Sequence, residues 1–409
     1  MRIALVVTDL SNTRIGGISR VATELGRNLV ALGHEVVAYL LRRPEAESPS
    51  QLDGMQLRYI EPFRTINADY PVVGFSRRAF ARLLDDLERE SFDVLQSFNL
   101  NSIALTQHHR QLAERKVATV LACYETIGMD VWAKWQEFRS SPSLRTLAQI
   151  AGESYLMGFH ERRYLRLADA IVTEDENTRA ALAKMGIDTA RVHLAPSGVD
   201  VAAAVAANPP EVPTPWREGG PVIGYIGRVD PRKGVQYLLD AVARVRATFP
   251  RVQLVLVGGS RHGYDDTIRS VIARHGLEQH VHVLGRVPGE ILPYYKLMDL
   301  IVIPSLSEGI PITLGEAMAS RVPVVITRLP GVVPFVQPAD LVHWADIASP
   351  ASLVEAITTS LQQSDREGQI ERAFAFIKQY TWRAVAERHA EVYRTVLRSG
   401  SPAPPLVSR

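Results

Sequence analysis

The chain of 409 residues has a single cysteine, Cys123. A disulfide within the chain is therefore impossible, and a thiolate metal cluster is excluded. Lysine is scarce, with six in the whole sequence. No apolar run reaches the roughly 18 residues that a membrane span needs. HExxH, GxSxG and GxxxxGK[ST] are all absent, and so is an Asp-x-Asp between short apolar runs. These absences remove the common zinc-protease, serine-hydrolase and Walker-type phosphate motifs. The 11 histidines do not cluster at metal-ligand spacing, and nothing implies a bound metal. An excess of one charge is lacking too. The formal net charge is +2, so nothing suggests bulk electrostatic binding to nucleic acid. The opening MRIALVVTDL is apolar but short and runs straight into Asp9, Asn12 and Arg14. It reads as a first buried strand rather than a signal peptide, so the default expectation is a cytoplasmic protein.

What is present is ordinary globular material, 46% hydrophobic and 22% charged. The length suggests about two to three domains. Short apolar runs alternate with amphipathic stretches. The runs are IALVV (3–7), VVAYL (36–40), ATVLA (118–122), AIVT (170–173) and VHLA (192–195), then VIGYI (222–226), QLVLV (253–257), VHVL (281–284), LIVI (300–303) and PVVI (323–326). Continuous apolar strands separated by helices imply parallel sheets covered on both faces, an α/β class of fold. Prolines, small residues and glycines concentrate in 201–221, VAAAVAANPPEVPTPWREGGP, which reads as a linker between a domain over 1–200 and one over 222–380. A long amphipathic helix is expected over 381–398, and a disordered tail over 399–409. Two such domains create a cleft, and ligands of open parallel sheets sit at the carboxyl ends of the strands. The loops after the strands are therefore where chemistry is sought.

Three of these loops stand out. After the first strand comes TDLSNTRIGGISR, where Gly16 and Gly17 precede a helical pattern. A flexible turn explains the pair, and so does close approach of an anion to helix-start amides. After VIGYI comes GRVDPRKG, with Arg228 and Lys233 around a turn of Asp230, Pro231 and Gly234. A planar guanidinium fork and a compact ammonium on one tight loop suit a diphosphate, although a solvated basic turn has the same composition. After LIVIP comes SEGIPITLGEAM, residues 307–318. Thr313 and Glu316 fit the T-x-x-E of a capping box, so Glu316 has a local backbone explanation. Glu308 has none; it follows a buried strand, beside Gly309 and Pro311, where a carboxylate can accept hydrogen bonds from ligand hydroxyls.

GRVDPRKG followed by PSLSEGIPITLGEAMASRVPVV resembles the retaining glycosyltransferases of family 4, which have the GT-B fold. GGISRVATELGRNLVALGHEVV, ADAIVTEDENTRAALAKMGIDTARVHLAPSGVD, GRVPGEILPYYKLMDLIVIPS and YTWRAVAERHAEVYRTVL extend the resemblance over nearly the whole chain, most weakly at 41–117 and 126–165. It implies two Rossmann-like, doubly wound domains facing across a cleft, with the terminal helix crossing back to the first. By position, Arg228 and Lys233 would hold the donor's diphosphate and stabilise it as a leaving group. Glu308 would contact the sugar's hydroxyls and Glu316 the ribose. Gly16 and Gly17 would approach the phosphates, and the backbone around Arg286 and Val287 would read the base. Gly309, Ile310, Pro311, Ile312 and Thr313 would bring amides to sugar and phosphate. The donor is a substrate, and neither cofactor nor metal is implied. Charge developing on a diphosphate is stabilised by preorganised cations and helix ends. Neither glutamate has to be a nucleophile, since the family is thought to retain configuration by front-face attack.

Several positions depart from the family pattern. ACYET places Glu125 where many relatives have a histidine, and the preceding strand end reads LQSFNLNS. A carboxylate at 125 can bind a hydroxylated or amine-bearing acceptor, act as a base or be structural, and the three stay open. Arg321 replaces a usual glycine, and Pro334 stands where a glutamate often follows. The missing histidine motivates one alternative, a non-catalytic relative that binds a nucleotide sugar or glycan for a partner enzyme. The acceptor, whether polysaccharide, glycolipid or small molecule, is not legible. In FSRRAFARLLDDLERE, Arg77, Arg78 and Arg82 with Phe75 and Phe80 suggest peripheral membrane contact, but a solvated helix face is the favoured reading. Oligomeric state is open.

Overall fold

The computed structural model describes residues 1–399 except 12–15, 45–46, 63–70, 129–130, 132–134, 136–137, 139–143, 157–159, 212–218, 261–263 and 288. The expected tail over 399–409 therefore lies, beyond its first residue, outside the described residues. The chain divides into two compact units. One contains the described residues of 1–138, 142–198 and 382–409, and the other contains Val199–Thr381.

Among the described residues of the first unit is an eight-stranded sheet in the order β3-β4-β2-β1-β5-β6-β7-β8. Its strands are β1 (Arg2–Val6), β2 (Glu35–Leu41), β3 (Gln51–Leu52), β4 (Met55–Ile60), β5 (Val94–Phe98), β6 (Ala118–Ala122), β7 (Ala170–Thr173) and β8 (Val192–Leu194). All pairings are parallel except that of β3 with β4. The central strands β5, β6 and β7 are buried at every position, which explains the apolar and small residues of β6 and β7, while β5 carries a buried Gln96. Helix α1 (Gly17–Ala31) and helix α2 (Pro71–Asp86) follow β1 and β4. The phenylalanines of α2 settle its orientation. Phe75 and Phe80 are 0% and 1% exposed and belong to the core, while Arg77 and Arg82 lie on the exposed face. The helix therefore has no aromatic residues to offer a membrane at those positions.

Among the described residues of the second unit is a six-stranded, wholly parallel sheet in the order β11-β10-β9-β12-β13-β14. Its strands are β9 (Val222–Ile226), β10 (Gln253–Val257), β11 (Val281–Gly285), β12 (Leu300–Ile303), β13 (Val324–Thr327) and β14 (His343–Ala345). The linker expected over 201–221 is in its first third a packed helix, α3 (Val201–Ala206). Asp200 caps it through Ala203 N–H at 2.9 Å, and Ala204 is wholly buried in the unit's core. Ala204 is the small residue that packs here, while Ala202, Ala203 and Ala206 are exposed. Residues 212–218 of that stretch lie outside the described residues.

Two more helices of this unit flank its central strands, α4 (Val235–Val245) after β9 and α5 (Ile312–Ala319) after β12. The terminal helix α6 (Trp382–Ser399) belongs to the first unit, where it packs on α1, β6 and β7. Its Tyr393 hydroxyl donates to Gln96 Oε1 at 3.0 Å, and its His389 is 0% exposed. Burial pushes the His389 pKa down to about 3. No helix among the described residues is long and apolar enough to cross a membrane.

Candidate functional site

In the second unit the chain order reverses between β9 and β12, which are neighbours in the sheet. A parallel sheet opens a crevice at such a switch point, at the carboxyl ends of the strands. The loops that leave β9 and β12 there are GRVDPRKG and PSLSEG. Backbone contacts lock the two loops together. Leu306 N–H donates to Arg232 O at 2.8 Å. Gly234 has φ +68°, and a Cβ built on it would stand 2.0 Å from Pro304 O. Only glycine fits that left-handed position at that separation.

The side chains on the two loops are paired. Lys233 Nζ binds Glu308 Oε2, and Ser305 Oγ donates to Glu308 Oε1. Thr327 Oγ1 on β13 donates in turn to Ser305 O at 2.6 Å. Burial opposes ionisation of Glu308 most strongly, yet the Lys233 ammonium with the two hydrogen bonds outweighs it and holds the carboxyl below its ordinary range. A charge in this apolar setting is tolerable because it is paired. Arg228 Nε donates to Asp230 Oδ2 at 2.6 Å, and Lys233 N–H reaches Asp230 Oδ1 at 3.3 Å. Asp230 is buried, which works against its charge, but Arg228 above all keeps its carboxyl below the usual range. Sequence reasoning placed Asp230 only in the turn. Its position two residues after Arg228 and before a proline was the available signal for more.

The capping-box reading of Thr313 and Glu316 is overturned. Helix α5 starts at Ile312 with Pro311 as its cap residue, and no side chain caps it. Thr313 Oγ1 instead donates to Ile226 O at 3.2 Å, tying the helix start to the end of β9. Glu316, 8% exposed, accepts from Tyr295 Oη at 2.7 Å. Nothing in the sequence flagged Tyr295, 21 residues earlier, because that contact is tertiary. Gly309, Ile310 and Pro311 are buried between the Glu308 loop and α5, and Ile312 and Thr313 open the helix.

Arg286 and Val287 follow β11. Arg286 is exposed and lies over Gly259, where a Cβ would stand 2.9 Å from its Nε. Gly259 O in turn accepts from Val229 N–H at 3.0 Å, so this loop joins that of Arg228. Val287 is half-buried against the unit's core. The second unit thus brings together Arg228, Lys233, Arg286, Val287, Glu308 to Thr313 and Glu316 along one edge of its sheet. Gly16, Gly17 and Glu125 belong to the first unit. Gly16 and Gly17 start α1, where no side chain caps the helix. Glu125 lies just past β6, half-buried, its carbonyl accepting from Cys123 Sγ at 3.7 Å. Among the described residues, no group of three His, Cys, Asp or Glu side chains is arranged to hold a metal.

Known proteins share this architecture and much of this sequence pattern. Residues 15–203 match the model of Glycosyltransferase Family 4, and residues 220–363 match that of Glycosyl transferases group 1. A phosphatidyl-myo-inositol mannosyltransferase of Mycobacterium leprae is 27% identical over 391 residues, covering 94% of this chain and 95% of that protein. Among solved structures, sucrose-phosphate synthase of Thermosynechococcus elongatus superposes with a TM-score of 0.77 at 19% identity, over 97% of this chain and 99% of that one. The Anabaena protein HepE in complex with UDP-glucose gives 0.71 at 16% identity, over 97% of this chain and 100% of that one.

Proposed function

We propose, on the premise that the chain belongs to glycosyltransferase family 4 and has the GT-B fold, that it moves a sugar from a UDP- or GDP-linked donor to an acceptor hydroxyl with retention and without a metal ion. The observation that carries the donor reading is the pairing of Lys233 with Glu308 beside Arg228 at the switch point of the second unit. A diphosphate is the ligand that two converging cations fit best.

In this reading the ion pair is the resting arrangement that a donor exchanges for its own contacts. The donor's diphosphate takes the ammonium of Lys233, and sugar hydroxyls take the carboxylate of Glu308. Each group leaves one charged hydrogen bond for another, so neither is left buried and unpaired. Breaking the glycosyl bond then builds negative charge on a diphosphate already facing Arg228 and Lys233, which stabilise the transition state more than the ground state. Fixed cations supply the charge that a metal supplies elsewhere. Glu316, held by Tyr295, takes the ribose, and backbone at Arg286 and Val287 takes the base. Amides of 309–313 face sugar and phosphate. Glu308 is engaged by Ser305 and Lys233, an arrangement for binding hydroxyls rather than for attacking carbon. Glu125 of the first unit is assigned to the acceptor.

The test is a panel of UDP- and GDP-sugars incubated with the protein in EDTA. Nucleotide release with a sugar transferred is the expected result. A donor that turns over only when a divalent ion is restored removes the metal-free part. A panel in which no donor binds by calorimetry removes the whole reading. Acceptor trials then begin with phosphatidyl-myo-inositol, since the relative from Mycobacterium leprae is named for it.

A further inference from the structure

We propose that Asp230 is a positioning residue of the donor site, gripping Arg228 by its Nε so that the two terminal nitrogens are presented to the diphosphate. The inference rests on the donor reading and adds to it a residue that touches neither donor nor acceptor.

The two oxygens of Asp230 divide their work. Oδ1 accepts from Lys233 N–H at 3.3 Å and caps the short 3-10 turn Pro231–Lys233. Oδ2 accepts from Arg228 Nε at 2.6 Å. The cap alone does not call for a carboxylate, since Asn, Ser and Thr cap turns of this kind equally well. Burial makes the charge costly, as the Asp230 side chain is 7% exposed. A buried carboxylate at this position is therefore best explained by the guanidinium it holds.

The geometry selects one edge of that guanidinium. A bidentate carboxylate would occupy the face where the fork binds best, and the fork would be lost to a ligand. Here the contact is through Nε, and among the described residues the terminal nitrogens of Arg228 have no protein partner. The Arg228 side chain is 47% exposed, so the fork faces solvent at the switch point. The backbone is fixed at the same residue, because Tyr225 Oη donates to Arg228 O at 2.6 Å. Main chain and Nε together leave the long side chain little freedom, which lowers the entropy lost when the diphosphate binds. The contrast with Lys233 is informative. Its partner Glu308 is itself a ligand-binding group and exchanges, whereas Asp230 stays on Arg228 through the reaction.

A double-mutant cycle tests this, with UDP and GDP as the calorimetric probes and a melting curve on every variant. Asp230→Asn keeps a capping oxygen and removes the charge that holds Nε. Arg228→Lys keeps a cation and removes Nε itself. Asp230→Asn should weaken binding of the preferred nucleotide about tenfold, the loss of one charge-assisted hydrogen bond's worth of preorganisation, in a variant whose melting curve shows it fully folded at the temperature of the titration. In the Arg228→Lys background the same change should cost less than about twofold, because the partner is gone. A second readout is rescue. Guanidinium ion should restore nucleotide affinity to Arg228→Ala and fail to restore it to the Arg228→Ala/Asp230→Asn pair. Equal losses in both backgrounds, or equal rescue with and without the carboxylate, would show a purely structural cap and overturn the inference. A wild-type protein that binds neither nucleotide overturns the donor reading first, and this inference with it.

Discussion

Both units present glycines in the loops that follow their strands, and two such pairs differ in what surrounds them. In the second unit a Cβ on Gly234 would strike Pro304 O at 2.0 Å, and one on Gly258 would strike Gly227 O at 1.8 Å. In the first unit a Cβ on Gly17 meets nothing within 4 Å, and one on Gly16 meets only Ser19 Oγ at 3.8 Å. Gly234 and Gly258 are demanded by the fold itself. Gly16 and Gly17 are not demanded by any packing among the described residues. One residue type, a glycine after a strand, thus carries two different kinds of information. The loops after β9 and β10 are a framework whose backbone fixes its polar groups, and the start of α1 leaves room.

The largest expected effect breaks the framework chemically. Lys233→Ala should lower turnover about one hundred- to one thousand-fold, the range seen when one preorganised donor of charge stabilisation is lost. Steady-state kinetics with a saturating donor check it, and a loss below about fivefold would place the chemistry elsewhere. Next comes the glycine contrast. Gly234→Ala should cost about 3 kcal/mol of stability, from left-handed strain added to overpacking. Gly17→Ala should change stability by less than about 0.5 kcal/mol, since helix positions accept alanine well. Urea titrations of the two variants decide the point. If Gly17→Ala abolishes activity at full stability, the space beside it serves a ligand.

A smaller effect separates the units by pH. His389 in the first unit is held neutral by burial, its pKa pushed down to about 3 from an ordinary 6.5. The unfolded chain binds a proton there that the folded one refuses, so stability is full above pH 6.5 and falls as pH drops toward 3. At about pH 5 the loss should be about 2 kcal/mol. His389→Gln should flatten that slope between about pH 7 and about pH 5. Calorimetric scans should show it in the transition of the first unit and leave that of the second unchanged.

The smallest effect concerns Arg321, which adopts φ +60°. Left-handed strain of about 1 kcal/mol is expected for a residue with a side chain. The guanidinium offsets it by lying 4.3 Å from the Phe374 ring centroid and pairing with Glu371. Arg321→Gly should therefore change stability by less than about 1 kcal/mol in a urea titration. A loss of several kcal/mol would mean that the ring and acid contacts do more than offset strain.

The parts that were legible in the sequence share a physical reason. Strands β1, β2, β6, β7, β9, β10, β12 and β13 are largely apolar runs because both faces of a parallel sheet are covered, and that pattern is visible without the structure. Strand β4, MQLRYI, alternates buried and more exposed positions and escaped notice, and three-residue β14 gives too little pattern to read. The charged loop around Arg228 and Lys233 was legible because a turn brings sequence neighbours together. The partners of Glu308 and Glu316 were not, since Lys233 lies 75 residues from the first and Tyr295 comes from a separate helix. Glu316 itself was misread as a cap from a local pattern that the true helix start, at Ile312, does not satisfy. Alanine-rich 201–206 reads as linker for a related reason, since small, mostly exposed residues serve both linkers and short surface helices, and only the fold shows that Ala204 is buried.

If the β9 and β12 loops of the second unit form the donor diphosphate site, a crystal structure with UDP or GDP bound shows it most directly. The diphosphate should then lie within hydrogen-bond distance of the Arg228 fork and the Lys233 ammonium, with the Lys233–Glu308 pair opened and Asp230 still on Arg228 Nε. A diphosphate bound away from both cations, with the ion pair intact, would contradict it.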